Sequence, residues 1–307
     1  MENGIDIVFA THNGERTLPR MLAALEVLIP PSRPWRIVAV DNASTDRTAH
    51  LLREAAERLP MLVLACAEPG KMPALKTAAK HLRGDLVLFT DDDIEPDPVW
   101  LKAYEAAADR SGAPVGVFGG PIVPTPLEDL TPWFAVSQVR YAELFAASDR
   151  PDGPVDAEAH IYGPNFLIRS EHIGVLDTIT PGVGPTFAPG KRRTFAMGED
   201  SLIVSRVAQR SGALYVREAR VRHLVRRFQT ELPFMLDRAE RHGRGVAIRD
   251  IAANPTFSRR LRILMQNAAG LLSPSGASAQ PSAETFDRLW LARWKLGAVK
   301  AALFDPA

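Results

Sequence analysis

The chain has 307 residues, of which 46% are hydrophobic and 24% charged, and its formal net charge is +1. This is the make-up of an ordinary soluble globular protein with room for a large core, and the near-zero charge excludes a nucleic-acid binder driven by overall charge. One cysteine, Cys66, excludes an internal disulfide and any cysteine-based metal cluster, so a reducing compartment is expected. The start carries no basic segment followed by an apolar stretch, and no apolar run approaches bilayer length. A cytoplasmic location is expected, with at most peripheral contact at the inner membrane face.

Ile5 to Ala10 is a short apolar run that stops at Thr11-His12-Asn13-Gly14-Glu15, after which Leu18, Met21, Leu22, Leu25 and Leu28 recur at helical spacing. Arg36 to Val40 repeats the pattern. Its strand ends in Asp41-Asn42-Ala43-Ser44-Thr45-Asp46, and Ser44 is the expected N-cap of the next helix. Met61 to Ala65 is a third strand, leading through Glu68-Pro69-Gly70-Lys71 into a helix over Pro73 to Leu82. The fourth strand begins at Gly84 and ends in Asp91-Asp92-Asp93; a helix capped by Asp97, with Pro98 at its first position, follows. Strands separated by helix-length segments imply a parallel α/β sheet. In such a sheet ligands sit outside the carboxyl ends of the strands, where all three loops fall. Three carboxylates on one turn repel one another unless a cation shares them, and oxygen ligands suit magnesium or manganese. The plainer alternative is a solvated acidic loop. Asp41 at a strand end has two readings, an acceptor for a base N–H or ribose hydroxyl and an Asx-turn. No Walker-type or G-x-G-x-x-G loop is present, which disfavours P-loop and nicotinamide chemistry.

Val115 to Gly119 reads as a strand. The stretch through Pro121, Pro124, Pro126 and Pro132 is expected to lack regular structure, Trp133 to Ala147 to be helical and Ser148 to Pro154 to be an exposed loop. Gly163-Pro164-Asn165-Phe166 enters another strand, with Ser170 capping a short helix. Thr178 to Lys191, crowded with Pro and Gly, is expected to be a functional lid or a disordered tip. Met197-Gly198-Glu199-Asp200 opens a helix that closes at Gly212, and Ala213 to Val216 is a strand. A basic group follows, from Arg217 through His223 to Arg241 and Arg244. It has readings as a clamp for diphosphate and anionic acceptor, as a contact for acidic lipid headgroups, and as solvated charge. Phe257 to Leu272 is expected to be helical, Ser273 to Ala283 a linker, and Glu284 to Phe304 a helix bearing Trp290 and Trp294. That last helix suits a membrane interface or, preferably, packing on the domain or on a second copy in a homodimer.

Phe9 to Glu15, Val40 to Asp46, Phe89 to Asp93, Gly163 to Phe166 and Gly198 to Asp200 occur in an order and spacing that resemble the family 2 glycosyltransferases of the GT-A fold. The resemblance covers most of the chain, from about Ile5 to Gly245. It implies a Rossmann-like, mostly parallel sheet flanked by helices. Residues 1–245 form the transferase domain, with a nucleotide-binding half over 1–120 and an acceptor-binding half over 121–245, and residues 246–307 a C-terminal helical extension. It further implies metal-dependent, inverting transfer of a sugar from a nucleoside-diphosphate sugar, UDP-linked by preference, to a saccharide, lipid-linked saccharide or other hydroxyl. Thr11, Asn13, Glu15, Asp41, Lys71, Asp91 and Asp92 match nucleotide-sugar positions. Asp93 and His223 match positions for Mn2+ or Mg2+, and Asp200, with Glu199 beside it, matches the general base. Gly163, Asn165, Arg241 and Arg244 match acceptor-side positions. His12 and Lys76 depart from the family pattern and leave the base open. Absence of transmembrane helices and of a Gln-x-x-Arg-Trp motif argues against a membrane-embedded synthase. Two other classes stand beside this one. A noncatalytic nucleotide- or glycan-binding module is countered by the intact acids, and a sugar nucleotidyltransferase by the lack of a Gly- and Arg/Lys-rich first loop.

Overall fold

The computed structural model describes residues 2–111, 114–137, 144–179, 183–185, 195–268 and 281–305. The Pro/Gly-rich segment expected as a lid falls mostly outside these residues, as does most of the expected linker after 272. By their internal contacts the residues form two units: Met1–Thr125, Phe145–Ile179 and Asp200–Leu224 make the first, and Pro126–Leu144, Thr180–Glu199 and Val225–Ala307 the second.

In the first unit β1 (Glu2–Thr11), β2 (Trp35–Asp41), β3 (Met61–Ala65) and β4 (Gly84–Thr90) run parallel in the order β3-β2-β1-β4. The sheet continues through β9 (Asn165–Arg169), antiparallel to both β4 and β6 (Val117–Gly119), and on to β10 (Ala213–Tyr215) and β8 (Gly153–Pro154). Successive residues of β1 and β4 are buried on both faces, Ile7, Val8 and Phe9 in one and Leu86, Val87 and Leu88 in the other. Helices therefore cover both sides, which explains why these strands read as continuous apolar runs rather than alternations. One acid interrupts β1. Asp6 is 1% exposed, pairs with Arg36 Nε at 2.6 Å, and accepts the amides of Arg83 and Gly84 at 2.6 and 2.7 Å, which pins the start of β4 beside β1.

Three expectations are corrected. The second helix starts at Thr48, not at Ser44, because Asp46 Oδ1 accepts the Thr48 amide at 3.0 Å. The helix after the acidic triplet starts at Trp100 rather than Pro98, and a short strand, β5 (Ile94–Pro96), precedes Asp97. The proline-rich stretch contains β7 (Ile122–Pro126), an outer strand of a three-stranded sheet in the order β5-β11-β7 with β11 at Val221–Val225. Proline fits there because an edge strand leaves one side of its ladder unpaired.

The second unit is mainly helical. Helix Leu232–Ala253 runs unbroken through position 245, so the expected domain boundary falls inside it. It packs along helix Ala283–Phe304. A side chain on Gly243 would strike the Trp294 carbonyl, and one on Gly297 the Glu240 carbonyl. Of the C-terminal helix, Phe286 is fully buried and Trp290 is 1% exposed. Phe286 and Trp290 thus pack inward.

Candidate active site

β1, β2 and β4 are parallel neighbours, so the loops that follow them share one edge of the sheet. Thr11, the last residue of β1, is 2% exposed and donates from Oγ1 to Asp92 Oδ2 at 2.5 Å. Asn13 has φ = 55°, a left-handed conformation that asparagine tolerates. Its amide donates to Ser44 Oγ at 3.0 Å and its Oδ1 accepts the Thr45 amide at 2.8 Å. Glu15 Oε2 accepts the Arg47 amide at 3.0 Å, and the Gly14 amide donates to Thr48 Oγ1 at 2.8 Å. Asp41 Oδ1 accepts the Ser44 amide at 3.1 Å, which is the turn-forming alternative for this residue. The first two loops are therefore stitched together by the polar residues that the sequence proposes for nucleotide contact.

Asn42 is a positioning residue that the sequence reading passed over. It is 2% exposed; its Nδ2 donates to the carbonyls of Cys66 and Glu68 at 3.1 and 2.7 Å, and its Oδ1 accepts the Gly70 amide at 2.7 Å. Its own carbonyl accepts from His12 Nδ1 at 2.7 Å. The available signal was a neutral amide directly after a buried strand, a position where an unpaired side chain is costly. Gly70, with φ = 138°, takes a conformation few other residues adopt, and Lys71 follows at the helix start. Lys71 Nζ lies 2.5 Å from Asp91 Oδ1.

Asp93 and His223 are 8% and 6% exposed, and Asp93 Oδ1 lies 3.4 Å from His223 Nε2. Pairing of β11 with β5 sets them together, with the Leu224 amide donating to the Asp93 carbonyl at 2.7 Å. The carbonyl of Phe145 accepts from His223 Nδ1 at 2.8 Å, which directs the other ring nitrogen at Asp93. Burial works against the imidazolium, but the neighbouring Asp93 charge and the Phe145 carbonyl outweigh it and raise the His223 pKa. The pair fits a divalent cation: adjacent ligands of a six-coordinate ion with bonds of ~2.1 Å stand ~3 Å apart, and such ions take one or two protein ligands plus phosphate oxygens and water. Among the described residues no group of three or more acidic, histidine or cysteine side chains is set to hold a metal, so substrate oxygens would complete the set.

Thr90 Oγ1 donates to the Pro164 carbonyl at 2.7 Å, tying the end of β4 to the Gly163-Pro164 loop. The Gly163 amide donates to Asp200 Oδ2 at 2.7 Å, and Asp200 Oδ1 accepts the Ser201 amide at 2.8 Å. Asp200 is the second residue of helix Glu199–Ser211 and is half-buried. The chain of bonds from Thr90 through Pro164 and Gly163 thus sets this carboxylate at the same end of the sheet as the triplet.

Four expected site residues are placed otherwise. Asn165 is fully buried: its Oδ1 accepts from Trp100 Nε1 at 2.9 Å and Tyr104 Oη at 2.8 Å, and its Nδ2 donates to the carbonyls of Pro121 and Ala219 at 3.1 and 2.7 Å. All its bonding capacity goes into the fold, so it does not face an acceptor. Arg241 and Arg244, expected at acceptor-side positions, lie within helix Leu232–Ala253. Arg241 is 6% exposed, bonds Asp237 at 3.0 Å and stacks 4.7 Å over Phe195, while Arg244 Nε bonds Asp305 Oδ2 at 2.7 Å. Glu199 is 5% exposed and its side chain packs at Gly184. It belongs, with both arginines, to the second unit.

A family model described as "Glycosyl transferase family 2" matches residues 6–173. An undecaprenyl-phosphate 4-deoxy-4-formamido-L-arabinose transferase of Edwardsiella ictaluri is 30% identical over 116 residues, 36% of this chain and 36% of that protein. A dolichyl-phosphate beta-glucosyltransferase of Trichomonas vaginalis is 35% identical over 98 residues, 29% of this chain and 30% of that one. The chain thus spans about a third of the length of these curated relatives. Among solved structures, the mannosyltransferase PcManGT of Pyrobaculum calidifontis, in complex with GDP-Man and Mn2+, aligns with a TM-score of 0.59 at 20% identity, over 100% of this chain and 89% of that one. S. aureus TarS in complex with UDP aligns with a TM-score of 0.52 at 15% identity, over 98% and 91%. At these identities the two structures establish a shared fold.

Proposed function

The chain belongs to glycosyl transferase family 2 and has the GT-A architecture, and on that premise we propose that it transfers a sugar from a nucleoside diphosphate donor to an acceptor, with inversion and with a divalent cation. The observation that carries the reading is the buried Asp93–His223 pair, oriented by the Phe145 carbonyl, at the sheet edge that the β1 and β2 loops share. Asp93 and His223 would hold Mn2+ or Mg2+, whose chemistry is to neutralise charge on a leaving diphosphate. Asp41, Asn13 and Glu15 line the loops that receive the nucleotide, and Lys71 contributes a positive charge near its phosphates. Asp200, whose carboxylate accepts two backbone amides, takes the proton of an acceptor hydroxyl in this reading. The site of action in this reading is cytoplasmic.

The curated relatives are named for polyprenyl phosphates, which supports a second reading of the acceptor. A phosphate acceptor is already ionised at neutral pH and needs no base, whereas a sugar hydroxyl does. Asp200→Asn therefore separates the two: turnover falls by about a thousandfold for a hydroxyl acceptor and by less than about tenfold for a phosphate. Donor class is tested by thermal shift with UDP, GDP, dTDP and CMP, each with manganese and with EDTA, since a ligand of the native state raises the melting temperature. A manganese-dependent shift with one diphosphate supports the reading. Transfer at full rate in EDTA removes the cation from it.

A further inference from the structure

We propose that helix Phe257–Asn267 is a docking surface for an anionic lipid bilayer. The proposal is independent of which donor or acceptor the enzyme uses. An amphipathic helix on a folded protein normally turns its apolar stripe inward. Here Ile263, 4% exposed, is the buried residue of the helix, while Phe257, Leu261 and Met265, four residues apart and so on one face, are 81%, 45% and 74% exposed. Scattered surface hydrophobics need no explanation, but an aligned run of three large ones does.

The end of the C-terminal helix lies beside this one. Arg260 Nη1 donates to the Ala302 carbonyl and its Nη2 to the Asp305 carbonyl, each at 2.9 Å, joining this helix to the end of helix Ala283–Phe304. There Leu303 and Phe304 are 53% and 77% exposed.

Charge selects the occupant. The helix carries Arg259, Arg260 and Arg262 and no acidic residue. Arg259 is bonded to Asp250 and Arg260 to the carbonyls above, and both hold the helix in place; exposed Arg262 is set to meet lipid phosphates. An apolar edge with an arginine border suits the headgroup and acyl boundary of an anionic membrane. No described helix is long and apolar enough to cross a bilayer, so attachment at this face would lie in the interface. Aromatic residues of the C-terminal helix do not supply that edge, because Phe286 and Trp290 point inward.

The test is flotation of the full chain with vesicles of phosphatidylcholine and of an equimolar mixture with phosphatidylglycerol. The protein floats with the mixed vesicles, and at least about tenfold less with the neutral ones. Phe257→Ser with Met265→Gln lowers the partition coefficient by on the order of a hundredfold, and Arg262→Glu by about fivefold or more with a shallower salt dependence. Leu291→Gln, another exposed apolar position, changes nothing. These side chains are exposed, so melting temperatures stay near that of the parent, which separates lost docking from lost folding. No flotation of the parent chain overturns the proposal, as does flotation unaltered by the variants. A parent dimer that the double variant converts to monomer, without flotation, also overturns it and assigns the face to self-association.

Discussion

Gly163→Ala perturbs the proposed base without touching its chemistry. A Cβ at position 163 would stand 2.5 Å from Asp200 Oδ2 and 3.2 Å from its Cβ and Cγ, so the nearest atoms it meets all belong to that side chain. Ordinary contact begins near 3.4 Å, and the carboxylate must retreat by about 0.9 Å, the difference between the two distances. That shift breaks or lengthens the 2.7 Å bond from the Gly163 amide, which is what aims the carboxylate. A displacement of ~1 Å in a positioned group lowers turnover by about a hundredfold, equivalent to ~2.7 kcal/mol of barrier. Overpacking at this half-surface position costs stability by about 1 to 3 kcal/mol, so the fold survives. The assay is steady-state transfer to a hydroxyl acceptor, beside calorimetric titration of the nucleotide in the presence of manganese. Turnover falls while nucleotide affinity holds, because the β1 and β2 loops are untouched. The double variant with Asp200→Asn is no slower than Asp200→Asn alone, as expected when both act through one carboxylate. Unchanged turnover, or loss of nucleotide affinity in proportion to loss of turnover, refutes the reasoning.

Asp93→Asn removes the charge facing His223 and lowers manganese-dependent donor affinity by at least about tenfold in the same titration, with nucleotide binding in EDTA unaltered. Asn165→Leu leaves the donors of Trp100 and Tyr104 and the carbonyls of Pro121 and Ala219 without their buried partner, and urea unfolding shows a loss of about 3 to 5 kcal/mol. Glu105 accepts the Ser32 amide and hydroxyl and the Arg33 amide at 2.8 to 2.9 Å; burial works to raise its carboxyl, but these bonds and the Arg33 charge outweigh it and hold the pKa below the usual range. Because the folded pKa is the lower one, its stabilisation is complete above the unfolded value of about 4.3 and is lost as pH falls through the folded value. Glu105→Gln therefore costs about 1 to 3 kcal/mol at pH 7 in urea unfolding, and the gap to the parent closes in acid.

The alternation of apolar runs with helical spacing made the parallel half of the sheet legible, because a strand buried on both faces writes its burial directly into consecutive residues such as Ile7, Val8 and Phe9. Motif order brought the loops at this sheet edge together. What could not be read was the destination of polar side chains. Asn165 and Asp200 are both polar residues beside glycine-bearing turns, yet one spends its amide on four buried partners and the other keeps its carboxylate at a loop. The difference lies in Trp100, Tyr104 and Ala219, which are distant in sequence. Arg241 and Arg244 illustrate the same limit: a Gly-rich basic run resembles a mobile loop, but the glycines admit a close helix crossing, with the Trp294 carbonyl filling the space at Gly243. Strand β7 was hidden by its prolines, which an edge position permits.

The acidic triplet shows how such a site holds its shape before any ligand arrives. Three consecutive carboxylates on one turn should repel, and the sequence alone suggests that a shared cation must relieve them. The structure instead sends each to a different neighbour: Asp91 to Lys71, Asp92 to the Thr11 hydroxyl and Asp93 to His223. Two of these neighbours carry or can acquire positive charge, and all three come from different parts of the chain, so the turn is anchored on β1, on the helix after β3 and on β11. Repulsion is thus offset by dispersal. In the proposed reading a donor diphosphate brought to this edge with its cation would meet Lys71, and the cation would meet Asp93 and His223, all already drawn into place by their neighbours. Binding in that reading would proceed by exchange of partners within an ordered site, which costs less conformational entropy than ordering the loops at the moment of encounter.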